Sequence, residues 1–207
     1  MDAHVLLVDD HPDTTGLVYF GGLPSVPAGS GFDWPRCGRC HLPMQYLGRV
    51  PHPSDPLRRI LLFQCANDPS LCDNWRLAEG ASSAVVIEMA DPMVTVMPPY
   101  GGVTMLPAIW SGHAVADPGP YHLTRSFDLG FRHLGRRVLG QVGGQPEWLQ
   151  AGETPRCPGC GRLMMLAAQI EEGPDYRTAI NFGGSGSGYI FVCGCPANQA
   201  RFLWQCD

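Results

Sequence analysis

Two stretches of the chain concentrate its most reactive side chains: "DWPRCGRCHLPM" and "ETPRCPGCGRLM". Each reads Pro-Arg-Cys, two residues, Cys, three residues, Met. Cysteines two apart can attach a c-type haem, cycle as a redox pair, bridge as a disulfide or hold a metal. Cys37, Cys40 and His41 spell CxxCH, the haem attachment signature. Only the first stretch has that His; Gly161 stands in its place in the second. A redox pair needs a helix N-terminus in a βαβ setting to acidify its thiol. "CPGCG" has instead the composition of a zinc knuckle, in which Pro and Gly force a tight turn whose amides can face both sulfurs.

Zinc takes four ligands at about 2.3 Å in a tetrahedron. One knuckle supplies two. Later cysteines supply the rest if the chain doubles back. Cys65 and Cys72 follow the first knuckle, completing a set with Cys37 and Cys40. Cys193 and Cys195 follow the second, with Cys157 and Cys160. Cys206 rivals Cys195, because "RFLWQC" resembles the "RILLFQC" that ends in Cys65. His41 is an alternative ligand for the first site. Four thiolates leave no open position for water, so two structural zinc ions are expected. Buried, unliganded cysteines behaving as small hydrophobes are the plain alternative.

The elements that must position these sulfurs repeat. "GGLP" (Gly21–Pro24) and "GGQP" (Gly143–Pro146) precede the knuckles. Met44 and Met164, then Val50 and Ile170, follow them at matching distances. Apolar runs, "ILLFQC" and "YIFVC", enter Cys65 and Cys193, and Trp75 and Trp204 close the two copies. The copies divide the chain into residues 1–76, a connecting β segment 77–135, and residues 136–207. "AVVIEM" and "MVTVM" are β-branched runs bounded by turn residues. "RLMMLAAQI" suits a short helix or a strand. The expected fold is β-rich with a few short helices, internally duplicated, its two knuckle-bearing halves sharing or bridging a sheet. "NFGGSGSG" (Asn181–Gly188) has phosphate-loop composition but lacks the Lys-Ser/Thr and the following helix, so it reads as a loop insertion. "VLLVDDHPD" resembles a response-regulator first strand, yet no helix pattern follows and the chain has no Lys.

Composition narrows the function. The chain has 207 residues, 44% of them hydrophobic, enough to bury a core without disulfides. A net charge of −5 disfavours a nucleic-acid backbone as partner. No window approaches the roughly 18 apolar residues of a membrane span. With no secretory signal in "MDAHVLLVDDHPD", a cytoplasmic location is expected, where nine cysteines point to metal.

"GGQPEWLQ…PRCPGCGRLMMLAAQI…YIFVCGC…FLWQC" resembles the YwqG-like family and the related programmed cell death 2 and Toys-R-Us proteins. The resemblance is best over residues 141–206. It implies a duplicated β-rich fold. It also implies a role as a dedicated chaperone for one client protein or as a toxin-neutralising, immunity-type factor. The first copy departs from the pattern, lacking a Trp just after Pro24; Trp34 is placed to fill that space.

The expectation is therefore a non-enzymatic, zinc-stabilised protein-binding module for a specific client, favouring a basic one. Trp34, Trp148 and Tyr100 are candidate anchors, although core packing is the ordinary fate of any one Trp. The alternatives are a metal-dependent enzyme built on His113, Asp117, His122, Asp128 and His133, and a nucleic-acid-binding zinc ribbon using "RHLGRR" (Arg132–Arg137).

Overall fold

The β-branched and aromatic runs become strands. A computed structural model of the chain describes residues 3–13, 15–116, 119–130, 137–196 and 198–206. In chain order the strands are β1 (His4–Val8), β2 (Val18–Phe20), β3 (Ser25–Pro27), β4 (Gln45–Pro51), β5 (Arg58–Gln64) and β6 (Ser82–Glu88). After these come β7 (Met93–Thr95), β8 (Trp110–Ala116), β9 (Val138–Val142), β10 (Met165–Glu171), β11 (Ser187–Val192) and β12 (Ala200–Gln205). Helix α1 (Tyr121–Gly130) and a 3-10 turn at Leu77–Glu79 are the helical elements among the described residues. "RLMMLAAQI" resolves as strand β10, hydrogen-bonded on both flanks to β9 and β11.

Ten strands form one antiparallel sheet in the order β12-β11-β10-β9-β1-β8-β2-β4-β5-β6. The sheet curls until its outer strands meet. There the Ser82 hydroxyl donates to the Phe202 carbonyl at 2.7 Å and the Gln64 amide to the Asn181 carbonyl at 2.9 Å. Trp75 and Trp204, which close the two copies in the sequence, sit edge to face across this seam at 5.9 Å. Near closure covers backbone edges that would otherwise template aggregation.

The order is symmetric about the β1–β8 pair. On one side run β9, β10, β11 and β12; on the other run β2, β4, β5 and β6. The first strand of each half lies beside the second strand of the other, β1 on β9 and β8 on β2. The halves thus share one sheet, to which residues 77–135 supply β6 and β8; β7 pairs with β3 in a separate two-stranded sheet, and α1 packs on the outer face.

Side chains alternate between two buried faces. Inside the curl lie Leu6, Phe20, Leu62, Ile170, Ile190 and Phe202, with further aliphatic residues between them. Outside, three separate caps cover the sheet. The first knuckle packs on Tyr46, Leu61 and Phe63, the second on Leu166, Tyr189 and Phe191, and α1 on Val5 and Val138. Double-sided burial explains why "ILLF" and "YIFV" are unbroken apolar runs rather than alternating ones.

Helix α1 is fixed by a buried charge pair. Arg125 donates to both oxygens of Glu171, at 3.0 and 3.1 Å, and Glu171 also accepts from Tyr121 and Ser187. Breaking a buried pair strands its partner at a cost of about 3–5 kcal/mol. Glu171→Leu is therefore expected to lower Tm by roughly 10 °C in a thermal melt, with both metals retained.

Candidate metal centres

Each knuckle is built by one set of backbone bonds. The Cys37 amide donates to the Leu42 carbonyl, His41 to Cys37, and Met44 to Pro35. In the second copy Cys157 donates to Arg162, Gly161 to Cys157, and Met164 to Pro155. The Arg of each Pro-Arg-Cys caps its own turn: Arg36 bonds the His41 carbonyl at 3.1 Å and Arg156 the Gly161 carbonyl at 3.0 Å. His41 and Gly161 hold the same left-handed position, at φ 60° and 74°. His41 is exposed there and contributes no ring nitrogen to the sulfur cluster; its place is a turn position that glycine suits better. The CxxCH spelling therefore comes from a turn, and both Cys37 and Cys40 face other sulfurs.

The structure brings Cys37, Cys40, Cys65 and Cys72 together, and separately Cys157, Cys160, Cys193 and Cys195, each quartet with all sulfurs within 4.8 Å. Cys40 and Cys65 are 3.7 Å apart, Cys157 and Cys195 3.7 Å, and Cys160 and Cys193 3.5 Å. A tetrahedron of Zn–S bonds near 2.3 Å has edges of about 3.8 Å. A disulfide would need about 2.05 Å, and none of the nine cysteines is bridged. The spacing, the all-thiol donor set and the burial fit two structural zinc ions. Seven of the eight sulfur-bearing residues are buried or half-buried; Cys160 is exposed.

The protein also prepares the thiolate charge. Burial pushes the Cys37 thiol up, but the amides of Cys40 and Arg39 more than reverse this, leaving it below its usual value. In the second knuckle the Cys160 and Gly159 amides do the same for Cys157. Arg162 beside Cys160 brings that thiol down to about 6. Burial pushes the Cys72 thiol up, so a metal bound here displaces its proton.

The far sides of the cages differ. Cys195 follows Cys193 by two residues, whereas Asn67 occupies the matching place after Cys65. Its side-chain amide lies 3.4 Å from the Cys65 sulfur and donates to the Pro43 carbonyl at 3.0 Å. Cys72, further along, closes the first cage instead. Cys206 belongs to neither quartet and packs against the inner core.

Among the described residues, the other sequence candidates do not converge on a centre. His113 pairs with Asp9 at 2.6 Å, His122 faces Glu147 at 3.4 Å, and Asp128 accepts from the amides of Arg137 and Val138. Asp117, His133 and residues 132–136 of the basic cluster lie outside the described residues. In "VLLVDDHPD", Asp9 is held by Ser111 as well as His113, and Asp10 by Arg137. The Gly-rich loop's amides are already spent on a carboxylate: Phe182, Gly184 and Ser185 all donate to Glu172 at 2.9–3.2 Å.

Sequence reasoning missed four side chains that support the second knuckle. Gln169 bonds both the amide and the carbonyl of Glu147, Tyr189 bonds Glu147 and Leu149, and Gln205 bonds Gln150 and Ala151. Gln141 steadies Gln169. Together they lace the GGQPEW stretch onto the sheet and set Trp148 over Tyr189, at 4.5 Å between ring centroids. The available signal was a polar residue inside each apolar run. Trp34 fills the equivalent space in the first copy, 5.5 Å from Phe63.

No family model, no curated protein and no solved structure matches the chain.

Elemental analysis of purified protein should give two zinc ions per chain. Cys160→Ser should lose one ion and destabilise the fold, while Cys206→Ser should keep both. His41→Gly should also keep both and raise stability by up to about 1 kcal/mol, because it relieves a left-handed side chain.

Proposed function

We propose that this chain is a non-catalytic, zinc-braced protein-binding module that serves one client, as a dedicated chaperone or a toxin-neutralising factor. The observation that carries this reading is an apolar stretch left facing solvent. In β7 and the segment that leads from it to β8, Val94, Met97, Tyr100, Val103, Met105 and Ile109 are all exposed, Tyr100 completely. Exposed apolar side chains concentrated in one segment mark a candidate interaction surface.

The same stretch is held rigidly. Tyr46 donates its amide to the Thr104 carbonyl at 2.9 Å, Gln45 its side chain to the Met105 carbonyl, and Val103 its amide to the Asn67 side chain. Asn67 also contacts the first cage, so the zinc site braces the apolar display. Aromatic and Met side chains on a fixed backbone bind with little loss of conformational freedom. Trp34 is buried and Trp148 is packed on the second cap, which leaves Tyr100 as the anchor among the three aromatic candidates. Closed thiolate cages have a bracing role rather than a catalytic one. The net charge of −5 favours a basic client. The likeness to the YwqG-like and programmed cell death 2 proteins points the same way.

Affinity capture of the intact, zinc-loaded chain from its native host should return one partner in stoichiometric amount, released by raised salt. Tyr100→Ala should weaken that partner's binding by about 1–2 kcal/mol without altering zinc content. Capture of background alone would overturn the reading.

A further inference from the structure

The two copies share a backbone device that is filled in one and open in the other. β4 carries a bulge at Leu47 and β10 carries the matching bulge at Ala167. The neighbouring strands end beside these bulges. β2 stops at Phe20 and β9 at Val142, and each chain then swings away through a left-handed Gly-Gly pair, Gly21–Gly22 and Gly143–Gly144. One last bond spans each departure, Gly21 to the Leu47 carbonyl and Gly143 to the Ala167 carbonyl, both 2.9 Å. Beyond it, the amides of Tyr46 and Leu166 face a gap where a strand has left.

In the first copy the chain fills its own gap. Residues around Met105 lie parallel to β4, bridged to Tyr46, and the Thr104 carbonyl accepts the Tyr46 amide. This inserted segment buries one aliphatic side chain, Leu106, and leaves Met105 exposed. In the second copy the matching place is a groove of about 250 Å³, lined by Leu166, Met165, Phe191, Thr154, Pro146 and Pro53. Leu166 pairs with Phe191 of β11 on one flank, and on the other, among the described residues, no segment bridges to it.

We propose that this groove is the docking slot for an extended peptide segment of a partner protein, added parallel to β10. Its carbonyl takes the Leu166 amide and one aliphatic side chain, Leu or Met, enters the groove. The first copy shows the occupant's backbone geometry, with residues 103–106 as an internal example; its Leu106 packs into the inner core, so the choice of side chain for the groove follows from the groove's own apolar lining. Backbone pairing supplies the affinity, and the groove selects the side chain. The lining carries no charged side chain, which suits an apolar rather than an acidic or basic insert. The inference rests on the protein-binding reading and assigns that reading a second contact, distinct from Tyr100.

The test uses the intact, zinc-loaded protein and a synthetic peptide of residues 100–108, "YGGVTMLPA". Amide hydrogen exchange is followed by NMR at Leu166, with Tyr46 as the paired control. In free protein the Leu166 amide should exchange at least tenfold faster than that of Tyr46. Peptide at about 1 mM should slow Leu166 severalfold. Thr154→Trp, which plugs the groove, and Met165→Glu, which charges its rim, should each abolish that slowing while retaining two zinc ions and the wild-type Tm. Equal protection of Leu166 and Tyr46 in free protein would overturn the proposal. So would the absence of any effect of the peptide, or an undiminished effect in Thr154→Trp. Self-association that vanishes in Thr154→Trp would seat a second copy in the groove and overturn it as well. Partner capture with undiminished affinity in Thr154→Trp would sink the groove and leave the protein-binding reading standing.

Discussion

Four thiolates cannot be held within a few ångströms of one another unless a cation neutralises them. A divalent ion does so, and the architecture is organised around two such points. Each quartet joins a knuckle turn to a sulfur just past the end of a next-to-outermost strand, Cys65 after β5 and Cys193 after β11, and to a fourth sulfur further along, Cys72 or Cys195. Each ion therefore pins a loop onto an outer face of the sheet. Without that clamp the knuckles would be short turns with little apolar surface of their own, and Phe63 and Phe191 would lose their cover. Metal binding and folding are one free-energy term in such a site.

Duplication explains the remaining economy of the fold. Each half offers strands buried on both faces, and neither could close a core alone. Exchange of the first strands, β1 onto β9 and β8 onto β2, makes the halves interdependent. The seam between β6 and β12 is completed by side chains such as Ser82 and Trp204, which bonds Asn74 at 3.0 Å. The copies have then diverged where function would act. The first spent its connecting segment covering its own bulged strand and displaying Tyr100. The second kept an uncovered bulge and invested in a lattice of Gln and Tyr bonds that fixes its GGQPEW stretch.

Much of this was legible from residue types. The Pro-Arg-Cys repeats announced the knuckles, because a tight turn with a Cys at each end has few other uses. The β-rich class followed from "YIFV" and "ILLF", while the repeat left sharing and bridging of a sheet both open until strand pairing decided for one shared sheet. The ambiguity over "RLMMLAAQI" was physical: an unbroken apolar run has no period, so helix and doubly buried strand look alike. His41 illustrates the opposite failure. Its spelling suggests a ligand, and only its backbone angle shows that it fills a glycine's place in a turn.

The sequence by itself determined the local chemistry: which cysteines stand in pairs, where turns must fall, and that two similar units exist. These are properties of residues near one another along the chain. Tertiary structure alone decided that Cys195 rather than Cys206 closes the second cage, that Asn67 reaches the sulfur of Cys65 while Cys72 closes the first, and that Trp75 meets Trp204. It alone decided that one bulged strand is covered while its twin lies open. Those outcomes depend on how distant strands bend and pair around a shared core, and no spacing along the chain encodes the distance between two ends of a curled sheet.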